Sequence, residues 1–371
     1  MGEGRELMAK TQVALEITEE SVRAVEISTG RTPTVVAAGE VLLPPGSARD
    51  SEILDPDAVA IAIKQLWARA GIKGRRVVLA IASRRILVRE YVTPAMKPEL
   101  LRQALPFQVQ DLLPVPVTQA VLDFYPTLEH EGKIHGLLVA AVSETVEALI
   151  STLGKARLRV DVVDLAPFGL ARAAQRLAPS ECVAMLHLGD HTSYVVVTEF
   201  GVPRFVRIIP ATLPTAAVRA RTAAPVEATV APVEAPVREL ALVGAGVGVP
   251  DEAVALPASL PTLRGRAAAR HGAMDPAVAD MMSRVRDTIA FYDARPGTER
   301  PVSSVLVSGA GAAAPGMTEA LDAALDVPVR AIAASDLLPS AGDAAPADDL
   351  ARNLVPTIGV VLGEVPGWGR A

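Results

Sequence analysis

Two stretches of this chain carry charged and hydroxyl side chains at the tips of apolar hairpins. Residues 13–27 read VALEITEESVRAVEI and residues 183–198 read VAMLHLGDHTSYVVVT. In each, an apolar run meets a short polar turn and a second apolar run, the pattern of two strands around a turn. Leu15-Glu16-Ile17-Thr18 lines up with Leu186-His187-Leu188-Gly189, and Ser21 falls opposite Thr192. Such a repeat in the two halves of one chain predicts a duplicated domain facing a shared cleft. The turn residues decide whether that cleft holds a phosphate, because small residues let backbone amides approach an anion. The first turn offers Glu16, Thr18, Glu19, Glu20, Ser21 and Arg23. The second offers His187, Gly189, Asp190, His191, Thr192 and Ser193. A third glycine-rich turn follows at Ser308-Gly309-Ala310-Gly311.

Other chemistries find less support. His187 and His191 are four apart, which shares a face on a helix but not across a strand and turn. No His-Glu-x-x-His pattern is present, and the one cysteine is Cys182. Turn histidines are therefore expected rather than a zinc site, and no metal or catalytic residue is assigned. Cys182 sits in an apolar run and reads as a small buried hydrophobe. Neither a P-loop nor a Gly-x-Ser-x-Gly nucleophile signature occurs. The glycines at 244, 246 and 248 lack the full dinucleotide spacing and read as a loop.

The 371 residues are half hydrophobic, enough for sizeable cores, and only 3% aromatic, so those cores must be aliphatic. A net charge of −6 argues against nucleic acid, which calls for clustered Lys and Arg. No run approaches the roughly 18 apolar residues of a membrane span. The start, MGEGRELMAKTQ, lacks the apolar core of a signal peptide. A cytoplasmic protein without direct membrane insertion is expected, with residues 1–10 as a disordered extension and Met8 as an alternative start.

The positioning elements follow from punctuation and period. A third apolar run, 34–43, ends at Pro44-Pro45-Gly46. Asp55 as N-cap, Pro56 in the first turn and Gly71 at the end bound a helix with Val59, Ile63, Leu66, Trp67 and Ala70 on one face. Strands follow at 76–82 and 86–92. Residues 93–142 form an inset, with a helix from Pro98 that Pro106 should bend or split, and two strands. A helix over 143–155, a strand ending at Leu165 and a helix over 167–177 close the first half, 11–180. The second half, 181–371, has the repeated hairpin and a strand 204–211. Its later elements are a helix over 276–293, a strand from 302, a helix near 316–325, the run 327–332 and a final apolar segment, 354–363. Proline density makes 212–272 a flexible linker. The alternation of strands and helices is α/β in character.

Several segments together resemble the type IV pilus assembly protein PilM family of the actin/Hsp70-like ATPase superfamily. ALPFQVQDLLPVPVTQAVLDFYPTL (104–128) is similar to that family's inset subdomain. VVDLAPFGLARAA (162–174) matches the end of its first half. RVRDTIAFYDARPGTERPVSSVLVSGAGAAAPGM (284–317) matches its helix, loop and adenosine-contacting turn. The resemblance implies an actin/Hsp70-like (ribonuclease H-like) duplicated fold with a small inserted α/β subdomain. It implies phosphates held on the two hairpin turns and Mg²⁺ organised by a carboxylate at the end of each first strand. Carried over residue by residue, it assigns nucleotide contacts to Glu16, Ser21, Arg23, Gly189, Thr192, Ser308, Gly309 and Gly311.

The chain departs from that pattern. Thr18 replaces a glycine, Glu19 and Glu20 stand where phosphates would approach, and His187 replaces the second carboxylate. Like charges a few ångströms apart cost on the order of 1 kcal/mol in water. Hydrolysis is not expected, while ATP/Mg binding stays open. The resemblance implies a scaffold at the inner face of the cytoplasmic membrane that binds the N-terminal tail of a PilN-like bitopic protein beside the inset and connects to motor ATPases. The alternatives are an active actin-like ATPase, which needs acids in both halves, and a divisome-type filament protein. The latter ends in an amphipathic membrane helix, which LGEVPGWGRA does not supply.

Overall fold

The computed structural model describes residues 11–50, 52–223, 275–295, 298 and 300–362. The first half opens with β1 (Thr11–Ile17), β2 (Ser21–Ser28) and β3 (Thr34–Leu42). The short strands β4 (Ala48–Arg49) and β5 (Glu52–Ile53) lead to α1 (Pro56–Ala70). Asp55 caps α1 by accepting from the amides of Asp57 and Ala58 at 3.1 and 3.0 Å, and Gly71 ends it at φ +67°. Its apolar stripe, Val59, Ile63, Leu66 and Trp67, is buried. Next come β6 (Arg76–Ile81), β7 (Leu87–Pro94), α2 (Pro98–Val109), β8 (Ala120–His130), β9 (Lys133–Val142), α3 (Ser143–Lys155), β10 (Arg159–Leu165) and α4 (Ala166–Leu177).

The second half repeats the opening with β11 (Cys182–Leu188), β12 (Thr192–Glu199) and β13 (Val202–Pro210). It continues through α5 (Ala216–Ala223), α6 (Pro276–Asp293), β14 (Ser304–Ser308), α7 (Met317–Ala324), β15 (Val329–Ala331), α8 (Ala334–Leu337) and α9 (Asp348–Gly359). The sheets have the same topology. One runs β10-β6-β1-β2-β3 and the other β15-β14-β11-β12-β13, each with an antiparallel hairpin trio and two parallel strands. The hairpin registers also match: Glu16 faces Arg23, and His187 faces Tyr194. The expected duplication is therefore present in both topology and register.

α4, which follows β10, and α9, the second helix after β15, pack on one another. A Cβ on Gly359 would strike the Gly169 backbone, and one on Gly169 would strike the Pro356 carbonyl. Only glycine lets these two backbones come so close. The α4–α9 pair belongs to the larger apolar core, which also takes in Val183, Met185 and Tyr194 of the second half. A second core fills the second half around Val305, Met281 and Leu321.

The inset has its own three-stranded sheet, β7-β9-β8, and a small core of Leu101, Leu105, Val109 and Leu138. Its boundary differs from the sequence expectation, since β7 pairs with β9 and so belongs to the inset from Leu87 onward. An apolar pattern marks a strand without saying which sheet it joins. Pro106 does not split α2, because it falls in the last turn before the chain tightens into a 3₁₀ turn at 110–112. The apolar segment 354–363 begins in α9, which runs to Gly359. Composition made residues 212–223 the start of a linker, but Leu213 and Thr215 are buried and α5 follows them. The remainder of that stretch, the glycines 244–248 and residues 1–10 lie outside the described residues.

Candidate functional site: a filled cleft and an open groove

The two hairpin turns meet as expected, but their own side chains fill the space between them. Arg23 is 1% exposed, with Nε 3.3 Å from Glu40 Oε1 and Nη2 3.4 Å from Asp190 Oδ2. Burial works against its charge, yet Glu40, Glu16 and Asp190 together hold its pKa above the usual value. Asp190 also accepts from Thr215 Oγ1 at 2.6 Å. Ser21 Oγ donates to Glu40 at 2.5 Å. Thr18 closes the first turn through its amide to the Ser21 carbonyl at 2.9 Å. Glu16 is buried and accepts from Thr357 Oγ1 of α9 at 3.0 Å. Burial raises its pKa, while Arg23 and the Thr357 hydrogen bond pull the other way.

A second set of pairs crosses beside the first. Glu20, 2% exposed, contacts His191 Nε2 at 2.6 Å and pairs with Arg221 of α5. Arg221 also donates to the carbonyls of Glu20 and Leu43, at 3.0 and 2.7 Å. The hydrogen bond that His191 donates to Glu20 raises its pKa against the opposing effect of burial.

His187 stacks on Tyr194, with ring centroids 4.9 Å apart. Ser308 Oγ donates to the Leu186 carbonyl at 3.3 Å and lies 3.1 Å from His187 Nδ1. A hydroxyl has one proton, so Nδ1–H donates to Ser308. Burial pushes the imidazole down to about 3, and Arg23 adds to the effect. The ring is neutral at ordinary pH and is a poor Mg²⁺ ligand.

The site residues predicted from sequence thus divide. Glu16, Arg23, Gly189 and Thr192 surround one cavity of about 30 Å³. That is room for about one water, where a drug-sized ligand needs some 300 Å³ or more. Ser21 is turned to Glu40. Ser308, Gly309 and Gly311 do not line that cavity. Gly309, at φ +90°, abuts the Leu188 carbonyl, and a Cβ on Gly311 would come 2.6 Å from Leu213 Cδ1. These glycines serve packing. The residues as placed do not fit Mg-ATP. Among the described residues no group of three or more His, Cys, Asp or Glu side chains could hold a metal ion.

Sequence reasoning missed Glu40, Arg221 and Thr357. Glu40 was findable from register, since it faces Arg23 across β2 and β3. Arg221 lay in the stretch assigned to a linker, and Thr357 in an apolar segment with no separate signal.

Larger open spaces lie elsewhere, one of them, of about 950 Å³, beside Ile27, Val162 and Val361. A groove of about 1050 Å³ runs between the inset and the first half. Its walls include Leu105 of α2, Leu122 and Tyr125 of β8, and Phe168 and Arg172 of α4. β8 is the edge of the inset sheet, and β10 is the edge of the larger one. Val121 and Leu128 of β8 are 47% and 48% exposed.

Comparison with known proteins agrees with this architecture. The family described as type IV pilus assembly protein PilM matches over residues 14–206. A solved PilM-PilN type IV pilus biogenesis complex is similar at TM-score 0.70 and 19% identity, covering 94% of this chain and 96% of that one. The ethanolamine utilization protein EutJ from Carboxydothermus hydrogenoformans is more distant, at TM-score 0.49 and 13% identity over 95% and 90% of the two chains. No curated protein sequence matches significantly. The fold is the actin/Hsp70-like duplicated fold with its inset, and the family match spans more than half of the 371 residues. The chain belongs to the type IV pilus assembly protein PilM family.

Proposed function

We propose that the chain is a cytoplasmic scaffold of the type IV pilus inner-membrane complex, without nucleotide turnover. Its groove beside the inset takes the N-terminal tail of a PilN-like bitopic membrane protein. The observation that carries this reading is the contrast between the two sites. The groove offers about 1050 Å³ beside a half-exposed apolar edge strand, and the hairpin cleft about 30 Å³. Exposed apolar edge strands invite an added strand, and main-chain pairing with alternating side-chain pockets is a common way to bind an extended peptide. Family membership supports a place in pilus assembly. No helix among the described residues is long and apolar enough to cross a membrane, and in this reading the membrane attachment is the partner's. Contact with the motor ATPases belongs to the same proposal. Against an active ATPase, His187 stands where the second Mg²⁺-organising acid would be needed.

The test is a titration of the full chain with a fluorescent peptide of the partner's cytoplasmic N-terminus. Val121 is half-exposed and lines the groove, so Val121→Asp leaves the fold intact while placing a charge in the binding path. Saturable binding, weakened at least tenfold by this substitution, is expected. No binding, or binding insensitive to it, overturns the assignment.

A further inference from the structure

We propose that one end of the first-half sheet is a docking surface for the anionic lipid headgroups of a membrane. Two short basic runs build it. Residues 69–76 read RAGIKGRR and residues 155–159 read KARLR, seven cations and no acid between them. Sheet pairing brings the runs together. β10 lies parallel to β6 with Arg159 beside Arg76 in register, and the Arg159 amide donates to the Arg75 carbonyl at 2.8 Å. The loop ahead of β6 is fixed from inside. Buried Glu26 accepts from the amides of Lys73 and Gly74 at 2.9 and 3.2 Å, and Trp67 Nε1 donates to the Gly74 carbonyl at 2.8 Å. Ile72 and Leu158 turn inward, while all seven cationic residues are exposed. The backbone here is committed to the fold, and the charges are left to solvent.

Acids balance only part of this charge. Asp161 pairs with Arg76 at 2.6 Å and with Arg159 at 3.5 Å, and Asp57 pairs with Lys155 at 2.8 Å. Arg69, Lys73, Arg75 and Arg157 have no ion-pair partner among the described residues. Adjacent strands lie about 4.8 Å apart, well inside the Debye length of about 10 Å at 0.1 M salt, so the cations on β6 and β10 act as one field. In a chain of net charge −6 this is a local excess of the opposite sign. Basic clusters of this size are drawn to the potential of an anionic leaflet, each residue being worth roughly fivefold in affinity. Neither run has an aromatic residue, and their large apolar residues are the buried Ile72 and Leu158. Stacking of nucleobases and insertion among acyl chains would call for exposed rings or apolar side chains, so contact between charges and headgroups is the mode that fits. The choice of a lipid surface over an acidic protein rests on the scaffold reading, which brings the chain to a membrane. The patch and the groove occupy opposite ends of one strand: Arg76 opens β6, and Ile81 at its end lines the groove. Five steps along the strand make about 17 Å, a span that about five extended residues of a membrane-tethered tail cover.

The experiment is co-sedimentation of the full chain with vesicles of phosphatidylcholine, alone or mixed 2:1 with phosphatidylglycerol, at 50 and 500 mM NaCl. The patch variant is Lys73→Gln/Arg75→Gln/Arg157→Asn, which removes three charges that hold no ion pair. Asn suits position 157, where φ is +62°. The control, Lys133→Gln/Arg286→Gln/Arg330→Gln, removes three exposed cations elsewhere and so has the same net charge. Unchanged melting temperatures show that both variants keep the fold. Wild type is expected to bind the mixed vesicles at 50 mM NaCl, to leave them at 500 mM, and to ignore pure phosphatidylcholine. The patch variant should bind roughly a hundredfold more weakly, and the control within threefold of wild type. Failure of wild type to bind the mixed vesicles, or equal losses in the two variants, overturns the proposal. Binding to a mixed-sequence DNA duplex that is tighter than to the vesicles, and lost in the patch variant, would reassign the surface to nucleic acid and overturn the lipid assignment. The peptide titration is read separately. Vesicle binding without peptide binding sinks the scaffold reading alone, and peptide binding without vesicle binding sinks this proposal alone.

Discussion

At the scale of single residues, the hairpin cleft is governed by what burial does to charge. His187 occupies the position that corresponds to Glu16, and its pKa is driven down to about 3 from an ordinary 6.5, first by burial and then by Arg23. Between those values the unfolded chain binds a proton that the folded chain refuses. The contribution of neutral His187 is complete above pH 6.5 and is lost as pH falls toward 3, at up to about 1.4 kcal/mol per pH unit. His191 acts in the opposite sense. Its raised pKa stabilises the fold fully below 6.5, and that contribution disappears as pH rises through the raised value. Comparing His187→Asn with wild type isolates the first effect. In urea melts at pH 7 and pH 4.5, wild type should lose about 2 kcal/mol more stability on acidification than the variant. Equal losses would mean that the imidazole is not held neutral in the fold.

At the scale of elements, the molecule depends on how closely two of its helices approach. The α4–α9 crossing is closed by Gly169 and Gly359, whose backbones leave no room for a methyl group. Gly359→Ala should destabilise the protein by about 1–3 kcal/mol through enforced separation of the helices. Gly154→Ala in α3 is the matching control: nothing lies within 4 Å of its added methyl, so it should be neutral or raise stability by up to about 1 kcal/mol. Midpoint shifts in urea of the same sign for both would refute this account of the crossing. Neither glycine could be distinguished in the sequence, because helix propensity is blind to what a helix later packs against. The elements that were legible carried local signals. The cap and stop of α1, the matching hairpins and the helix over 276–293 are all fixed by residues within one turn or one register. β7, α5 and α9 were misread or left unassigned for the complementary reason. Their place depends on sheet partners, on burial of Leu213 and Thr215, and on contacts with the other half.

At the scale of the whole molecule, side chains hold the two halves together across the space between the two hairpin turns. Arg23 of the first half reaches Asp190 of the second, Arg221 of the second reaches Glu20 and Leu43 of the first, and Thr357 of α9 reaches Glu16. These pairs join residues far apart in the chain, so no sequence window contained both partners, and the turns alone left nucleotide binding undecided. Closure that is already made by internal ion pairs leaves a nucleotide little to add. A ligand at 100 times its dissociation constant stabilises a native state by about 2.7 kcal/mol, a shift of several degrees that a thermal melt detects readily. Millimolar Mg-ATP is therefore expected to leave the melting temperature unchanged. Arg221→Ala, which strips a largely buried carboxylate of its partner, should lower stability by about 1–3 kcal/mol without restoring a nucleotide response. A melting temperature that rises with Mg-ATP in wild type would mean that the ion pairs part to admit the nucleotide. The cleft would then be a gate to the scaffold rather than a seal, and peptide binding in the groove would have to be measured in both nucleotide states.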